Sequence, residues 1–191
     1  MIARRDHVKR VRGLLRELRI CTILGARRVG KTTLAEQVAH GWRGSVHRID
    51  LEDPRDLRRL GAPMGALESL KGLVVLDVIQ RIPDLFPVLR VLADRARRGT
   101  RFLVLGSAAP DLLRQSSETL AGRIAYMRLP PLRTTEVGME QRDRLWVRGG
   151  FPRSLLAATE PASVRWRQEF ITAFLERDMP QLGVGIASAT M

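Results

Sequence analysis

Thiol chemistry is almost absent from this chain: Cys21 is the one cysteine, so no disulfide can close within it. The three histidines, His7, His40 and His47, stand at no spacing with Cys21 that would hold zinc. Long apolar runs are missing as well. The best of them, Leu73-Val74-Val75-Leu76, is stopped by Asp77, far short of the roughly 18 residues that mark a membrane-crossing helix. The N-terminus runs Met1-Ile2-Ala3-Arg4-Arg5-Asp6 and then meets charges at 9, 10, 12, 16, 17 and 19, which leaves no stretch resembling an export signal. Disulfide-built and metal-built folds are therefore excluded, and the protein is expected in the cytoplasm with no membrane partner. Lysine is also scarce. It occurs at 9, 31 and 71 only, so 30 of the 33 basic residues are arginine, spread along the chain rather than gathered in one block.

What is present suffices for a core. The chain has 191 residues, 45% of them hydrophobic. At about 150 residues per domain this allows one domain and part of a second, and a domain of that size buries about 70% of its unfolded surface. The formal net charge is +13. Such an excess favours polyanions through counterion release, and a solvated arginine-rich surface would look the same in sequence, so nucleic acid stays open as a partner.

Val8, Val11, Leu15 and Leu18 recur at helical spacing, with Lys9, Arg12, Arg16 and Arg19 on other faces, which predicts an amphipathic helix over about 4–19. A basic amphipathic helix can lie on a membrane, but this one lacks a Trp or Phe anchor, so packing on the following domain is preferred. Strand-sized apolar runs follow at 20–24, 46–51, 73–77, 101–106 and 124–129. Helical patterns fall between most of them, notably 33–39 and 83–98. This alternation predicts an α/β fold with a parallel sheet covered by helices. Pro130-Pro131 ends the last strand, and from Leu132 the pattern is helical only, broken at Gly149-Gly150-Phe151-Pro152. A further apolar face spans about 162–178, and the tail at 183–188 is aperiodic. There is no internal repeat and no low-complexity tract.

Gly25-Ala26-Arg27-Arg28-Val29-Gly30-Lys31-Thr32 carries two glycines followed by Lys and a hydroxyl residue, at the spacing of a phosphate-binding loop, with a strand before it and a helix after it. Glycines permit the tight backbone path, successive amides converge on phosphate oxygens, and the following helix directs its positive end at them. Lys31 is placed to reach the β- and γ-phosphates and Thr32 to put its hydroxyl on magnesium. A magnesium-bound triphosphate also needs a carboxylate at the end of a neighbouring buried strand. Asp77 fits that place better than Asp50, Glu52 or Asp53, which follow the second strand.

Taken in order, Leu24 to Thr33, Leu76-Asp77-Val78-Ile79-Gln80-Arg81-Ile82-Pro83, Gly106-Ser107, Leu120-Ala121-Gly122-Arg123, Gly149 to Pro152 and Leu175 to Pro180 resemble the bacterial and archaeal AAA-type P-loop ATPases whose ATPase domain precedes a C-terminal domain of unknown function. The resemblance spans nearly the whole chain. It implies a three-layer P-loop NTPase fold with a five-stranded parallel sheet over 1–135, including the N-terminal helix at 1–19, then the start of a helical domain over 136–191. It also implies ATP and Mg2+ as cofactors, with Gly25, Ala26, Arg27, Arg28, Val29, Gly30, Lys31, Thr32 and Thr33 around the nucleotide and Thr32 and Asp77 on the metal. Lys31, Asp77, Ser107 as a polar sensor and Arg123 as a finger or sensor complete the implied catalytic set. Without the resemblance, Ser107 reads as a strand-end turn residue and Arg123 as a solvated surface arginine.

The chain departs from the family pattern twice. Where relatives carry Asp-Glu-Ile-Gln, this chain has Asp77-Val78-Ile79-Gln80, so the glutamate expected to polarise the attacking water is a valine with no acceptor. Binding is expected to survive where turnover does not. Relatives also continue well past Pro180, so the second domain looks truncated, and uncovered apolar faces around 145–175 predict self-association or a protein partner. The leading expectation is an ATP-binding protein whose nucleotide occupancy controls conformation or assembly, with slow or absent hydrolysis. The alternatives are an active ATPase with a base from elsewhere and a DNA-binding or regulatory module.

Overall fold

The computed structural model describes residues 2–82, 84–95, 99–107 and 110–181. By internal contact the chain forms two units, 1–130 and 131–191.

The first unit opens with α1 (Arg5–Glu17), which buries Val11 and Leu15 and leaves its charges outward. Then follow β1 (Ile20–Leu24), α2 (Lys31–His40), β2 (Val46–Asp50), the short helices α3 (Pro54–Arg59) and α4 (Pro63–Glu68), β3 (Leu73–Asp77), a 3-10 turn (Ile79–Arg81), α5 (Leu85–Arg95), β4 (Arg101–Gly106), α6 (Pro110–Thr119) and β5 (Ile124–Arg128). The five strands form one sheet in the order β2-β3-β4-β1-β5, every pair parallel. This is the α/β architecture that the alternation of apolar runs predicts. Of the long helical pattern at 83–98, the stretch 85–95 is helix; Pro83 and residues 96–98 lie outside the described residues.

A parallel sheet is buried on both faces, so its strands read as continuous apolar runs rather than alternating ones. β1 is buried throughout. Ile20, Leu24, Val74, Leu76, Phe102 and Val104 share one face with Phe86, Leu89 and Leu92 of α5 and Leu67 of α4. The alternate residues belong to the other face, against which α1 and α2 pack. Cys21 is among them, and burial pushes its thiol up to about 12, which keeps it an inert core side chain.

Several arginines serve the fold rather than the solvent. Arg12 donates from Nη2 to the carbonyl of Val38 at 3.0 Å, near the end of α2, and Arg101 Nε donates to the Leu15 carbonyl at 2.6 Å, near the end of α1. Both satisfy carbonyls that a helix leaves open at its C-terminus. Arg4, 4% exposed, donates to the Pro130 carbonyl at 2.9 Å.

The second unit is helical: α7 (Thr134–Val137), α8 (Arg142–Arg148), α9 (Pro152–Leu155), α10 (Glu160–Ala173), a π-helical turn (Phe174–Asp178) and α11 (Met179–Gln181). Gly149, at φ +70°, ends α8, and the Gly150 carbonyl accepts from the Leu132 amide at 2.7 Å. A Cβ on Gly150 would collide with the Leu132 backbone, which explains the paired glycines. The tail at 183–188 lies outside the described residues. No helix among the described residues is long and apolar enough to cross a membrane.

Candidate nucleotide-binding site

The loop between β1 and α2 is built by three backbone constraints. Gly25 lies against β5's exit, where an added Cβ would sit 2.8 Å from the Leu129 carbonyl oxygen. Arg28 takes φ +62° and Gly30 φ +100°, both in the left-handed region that reverses the chain tightly. Gly30 is the N-cap of α2 and offers no side chain to that helix, so its open amides have no side-chain cap from within. Val29 is fully buried and pins the loop's crown, while Ala26, Arg27 and Arg28 are exposed.

Lys31, on the first turn of α2, folds back along the loop. Its Nζ donates to the carbonyls of Gly25 at 3.0 Å and Ala26 at 2.9 Å, so the ammonium spans the concavity that the loop encloses. Thr32 Oγ1 donates to Asp77 Oδ2 at 2.7 Å. That bond joins α2 to the end of β3, two strands away from β1 in the sheet. Thr33 is half-buried on the same helical turn.

Asp77 also accepts from the Val78 amide through Oδ1 at 2.8 Å. Burial raises its carboxyl above the ordinary range; the hydrogen bonds from Thr32 and Val78 and the Lys31 ammonium oppose this, and the charge of Asp50 reinforces it. Asp50 is the in-register neighbour of Asp77 across β2 and β3. Among the described residues no three His, Cys, Asp or Glu side chains come together as a metal cluster. A hydroxyl and one carboxylate at 2.7 Å form a small, hard oxygen pair. That donor set suits Mg2+, which is held by one or two carboxylates together with a ligand's phosphates.

Val78 lies in the left-handed region at φ +58° and ψ +46°. A β-branched residue is a genuine outlier there and costs of order 1–3 kcal/mol. Strain of this kind, one residue past the half-buried carboxylate, is flanked by the fully buried Leu76 and Ile79.

The structure does not gather all the sequence-predicted residues. Ser107 directly follows β4, whose Gly106 is in register with Leu24, so it stands at the same C-terminal end of the strands as the loop. Arg123 precedes β5, whose Ile124 is in register with Ile20, and so stands at the opposite, N-terminal end of the strands, about 16 Å away along a five-residue strand. There its Nε donates to Asp94 Oδ1 at 2.6 Å. Conversely, Glu52, by sequence only a rival acid for the metal, has another place in the structure. It lies 4.0 Å from Arg27 on the loop and 3.7 Å from Arg81 beyond β3, and so bridges two segments that converge on the site. Nothing in the sequence spacing of 27, 52 and 81 signals that convergence.

The profile of the AAA domain matches residues 17–138, nearly two-thirds of the chain, and that of a domain of unknown function matches 139–191. The chain belongs to the AAA domain family. Uncharacterized proteins of Mycobacterium bovis and Mycobacterium tuberculosis are each 49% identical to it over 191 residues, which is 100% of this chain and 43% of theirs. The chain thus spans less than half the length of these curated relatives. Among solved structures, the Walker-type ATPase of Pyrococcus abyssi superposes with a TM-score of 0.67 at 14% identity, over 95% of this chain and 75% of that one. The Orc1 protein of Aeropyrum pernix, solved in complex with DNA, gives 0.52 at 15% identity, over 93% and 62%. At such identities the likeness concerns the fold, a P-loop NTPase sheet followed by a helical segment. Nucleotide binding is what an AAA domain of this fold provides for.

Proposed function

We propose that the AAA domain binds ATP with Mg2+ at the loop of residues 25–33, and that occupancy of this site controls conformation or assembly while hydrolysis is slow or absent. In this reading the amides from Ala26 to Thr33 and the Lys31 ammonium hold the phosphates, Thr32 and Asp77 hold the metal, and Ser107 monitors the γ-phosphate end. The observation that carries it is the 2.7 Å bond from Thr32 to Asp77, an intact metal pair, immediately beside a Val78 side chain that cannot accept a hydrogen bond. A general base must come within hydrogen-bond reach of its water. Position 78, where the family pattern puts that base, offers only methyl groups. The position of Glu52, within ion-pair distance of both Arg27 and Arg81, supports a conformational readout by linking the loop to the segment beyond β3.

Two measurements on one preparation test the proposal. ATP and Mg2+ at 100 times the dissociation constant should stabilise the protein by about 2.7 kcal/mol, and Lys31→Ala should abolish the gain. Phosphate release should be negligible until Val78→Glu restores an acceptor. Brisk turnover that the substitution leaves unchanged would mean that a base is recruited from elsewhere.

The charge distribution favours a second reading, association with nucleic acid. Residues 1–130 hold 25 basic and 13 acidic side chains, whereas 131–191 hold 8 and 7, so the AAA-bearing unit carries +12 of the +13. The DNA-bound Aeropyrum pernix protein shares this fold.

A further inference from the structure

α1 carries Arg5, Lys9, Arg12 and Arg16, an i, i+4, i+7, i+11 series. At 3.6 residues per turn these four positions fall within an arc of about 60° and span about 16 Å of helix. Asp6 and Glu17, the acidic residues of the helix, fall roughly 100° away from this row. Arg12 turns inward to the end of α2. Arg5, Lys9 and Arg16 are exposed, and among the described residues no carboxylate pairs with any of them. α1 also lies almost wholly ahead of the residues that match the AAA domain, 17–138.

An exposed basic helix suits either an anionic lipid surface or a phosphodiester backbone, and packing separates the two. Membrane-surface helices bind by sinking an apolar face among the acyl chains. Here most of that face is spent: Val11 and Leu15 are 0% and 1% exposed, packed against the body of the unit, and Val8 and Leu18 are half-buried. What remains is a straight, rigid row of cations with no apolar insert. Such a row matches a charged rod: 16 Å of duplex axis presents one phosphate per about 1.7 Å, counting both strands. Arginine, which supplies most of the row, pairs with phosphate through two parallel N–H bonds.

We infer that α1 is a sequence-independent contact for the phosphate backbone of double-stranded DNA, made by Arg5, Lys9 and Arg16. This rests on the nucleic-acid reading above and supplies its surface. The test is fluorescence anisotropy with a random-sequence 20-base-pair duplex at 50 and 200 mM salt. The wild-type chain is compared with the triple variant Arg5→Gln, Lys9→Gln, Arg16→Gln and with a charge-matched control, Arg58→Gln, Arg153→Gln, Arg165→Gln, taken from exposed positions off α1. Losing three phosphate contacts should flatten the salt slope by about 2.7, so the fourfold rise in salt should weaken wild-type binding about 40-fold more than it weakens the α1 variant. The control should keep the wild-type slope. Circular dichroism and nucleotide binding verify that both variants are folded. A wild-type chain that ignores the duplex at 50 mM salt sinks the nucleic-acid reading itself. Equal slopes for the two triple variants, or binding to phosphatidylserine vesicles as tight as to the duplex, sink only the assignment to α1.

Discussion

The two units are stabilised in different ways. In the described part of residues 1–130 the buried apolar side chains form layers on both faces of a five-stranded sheet. Among the described residues of the second unit only Leu132 and Leu155 are buried apolar side chains. Its centre is polar instead. Ser154 and Ser163, both 0% exposed, share a hydrogen bond at 2.9 Å; Ser154 Oγ donates to the Arg148 carbonyl at 2.6 Å, and Arg167 Nη1 donates to Ser163 Oγ at 2.7 Å. Arg148 in turn reaches the Ala157 carbonyl at 2.6 Å and Glu160 at 2.7 Å. A row of rings, with Phe170 packed on Phe151 at 4.8 Å and on Trp166 at 5.1 Å, completes it, while Trp146 stays 89% exposed. Apolar burial is non-directional and shared among many neighbours, so the first unit can carry a strained residue such as Val78 at its site. A buried polar network depends on each of its bonds, because any member left without a partner costs its full desolvation.

The contrast can be broken most forcefully from the core outward. Phe102→Ala, at a 1% exposed position in the middle of the sheet, should cost about 3–5 kcal/mol, and hydrogen exchange followed peptide by peptide should show the loss over residues 20–128. Ser154→Ala removes the donor to the Arg148 carbonyl and the partner of Ser163, and should cost about 1–3 kcal/mol, with faster exchange confined to 142–173. Spread of that effect into the sheet would show that the units are not separately stabilised. Val78→Gly trades a strained β-branched residue for one at ease in the left-handed region, and should raise denaturant stability by about 1 kcal/mol. A fall would mean that the half-buried isopropyl group matters more than the strain.

Acid should divide the units with the smallest effect. The hydrogen bond from Arg148 holds the Glu160 carboxyl below its usual range, so its contribution is present above about 4.5, the ordinary value, and is lost as pH falls through the lowered folded value. Asp77 has the opposite sign. Burial raises its carboxyl, so ionised Asp77 costs the first unit stability near neutrality, and that cost disappears as pH falls through the raised value. Exchange measured stepwise from pH 7 to 3.5, corrected for intrinsic rates, should therefore loosen 142–173 before 73–106. The reverse order would refute the assignment.

Local chemistry alone marked out a great deal here. Gly25, Gly30, Lys31 and Thr32 announce an anion-binding turn because few other residue types permit that backbone path and that charge. Asp77 stands out because an acid ends an otherwise apolar run, and the five strands are visible because a sheet covered on both faces demands continuous apolar stretches. Other features came only from the tertiary arrangement. The order β3-β4-β1 sets Asp77 within reach of Thr32, the register of β5 carries Arg123 to the far end of the strands and onto Asp94, and Leu129 closes over Gly25. The left-handed backbone of Val78 and the turning of Arg12 and Arg101 onto helix ends belong to the same class. Periodicity and turn chemistry act over a few residues and can be read in one dimension. Strand order, register and long-range partners follow from which apolar faces pack together, and that is settled by the whole chain at once.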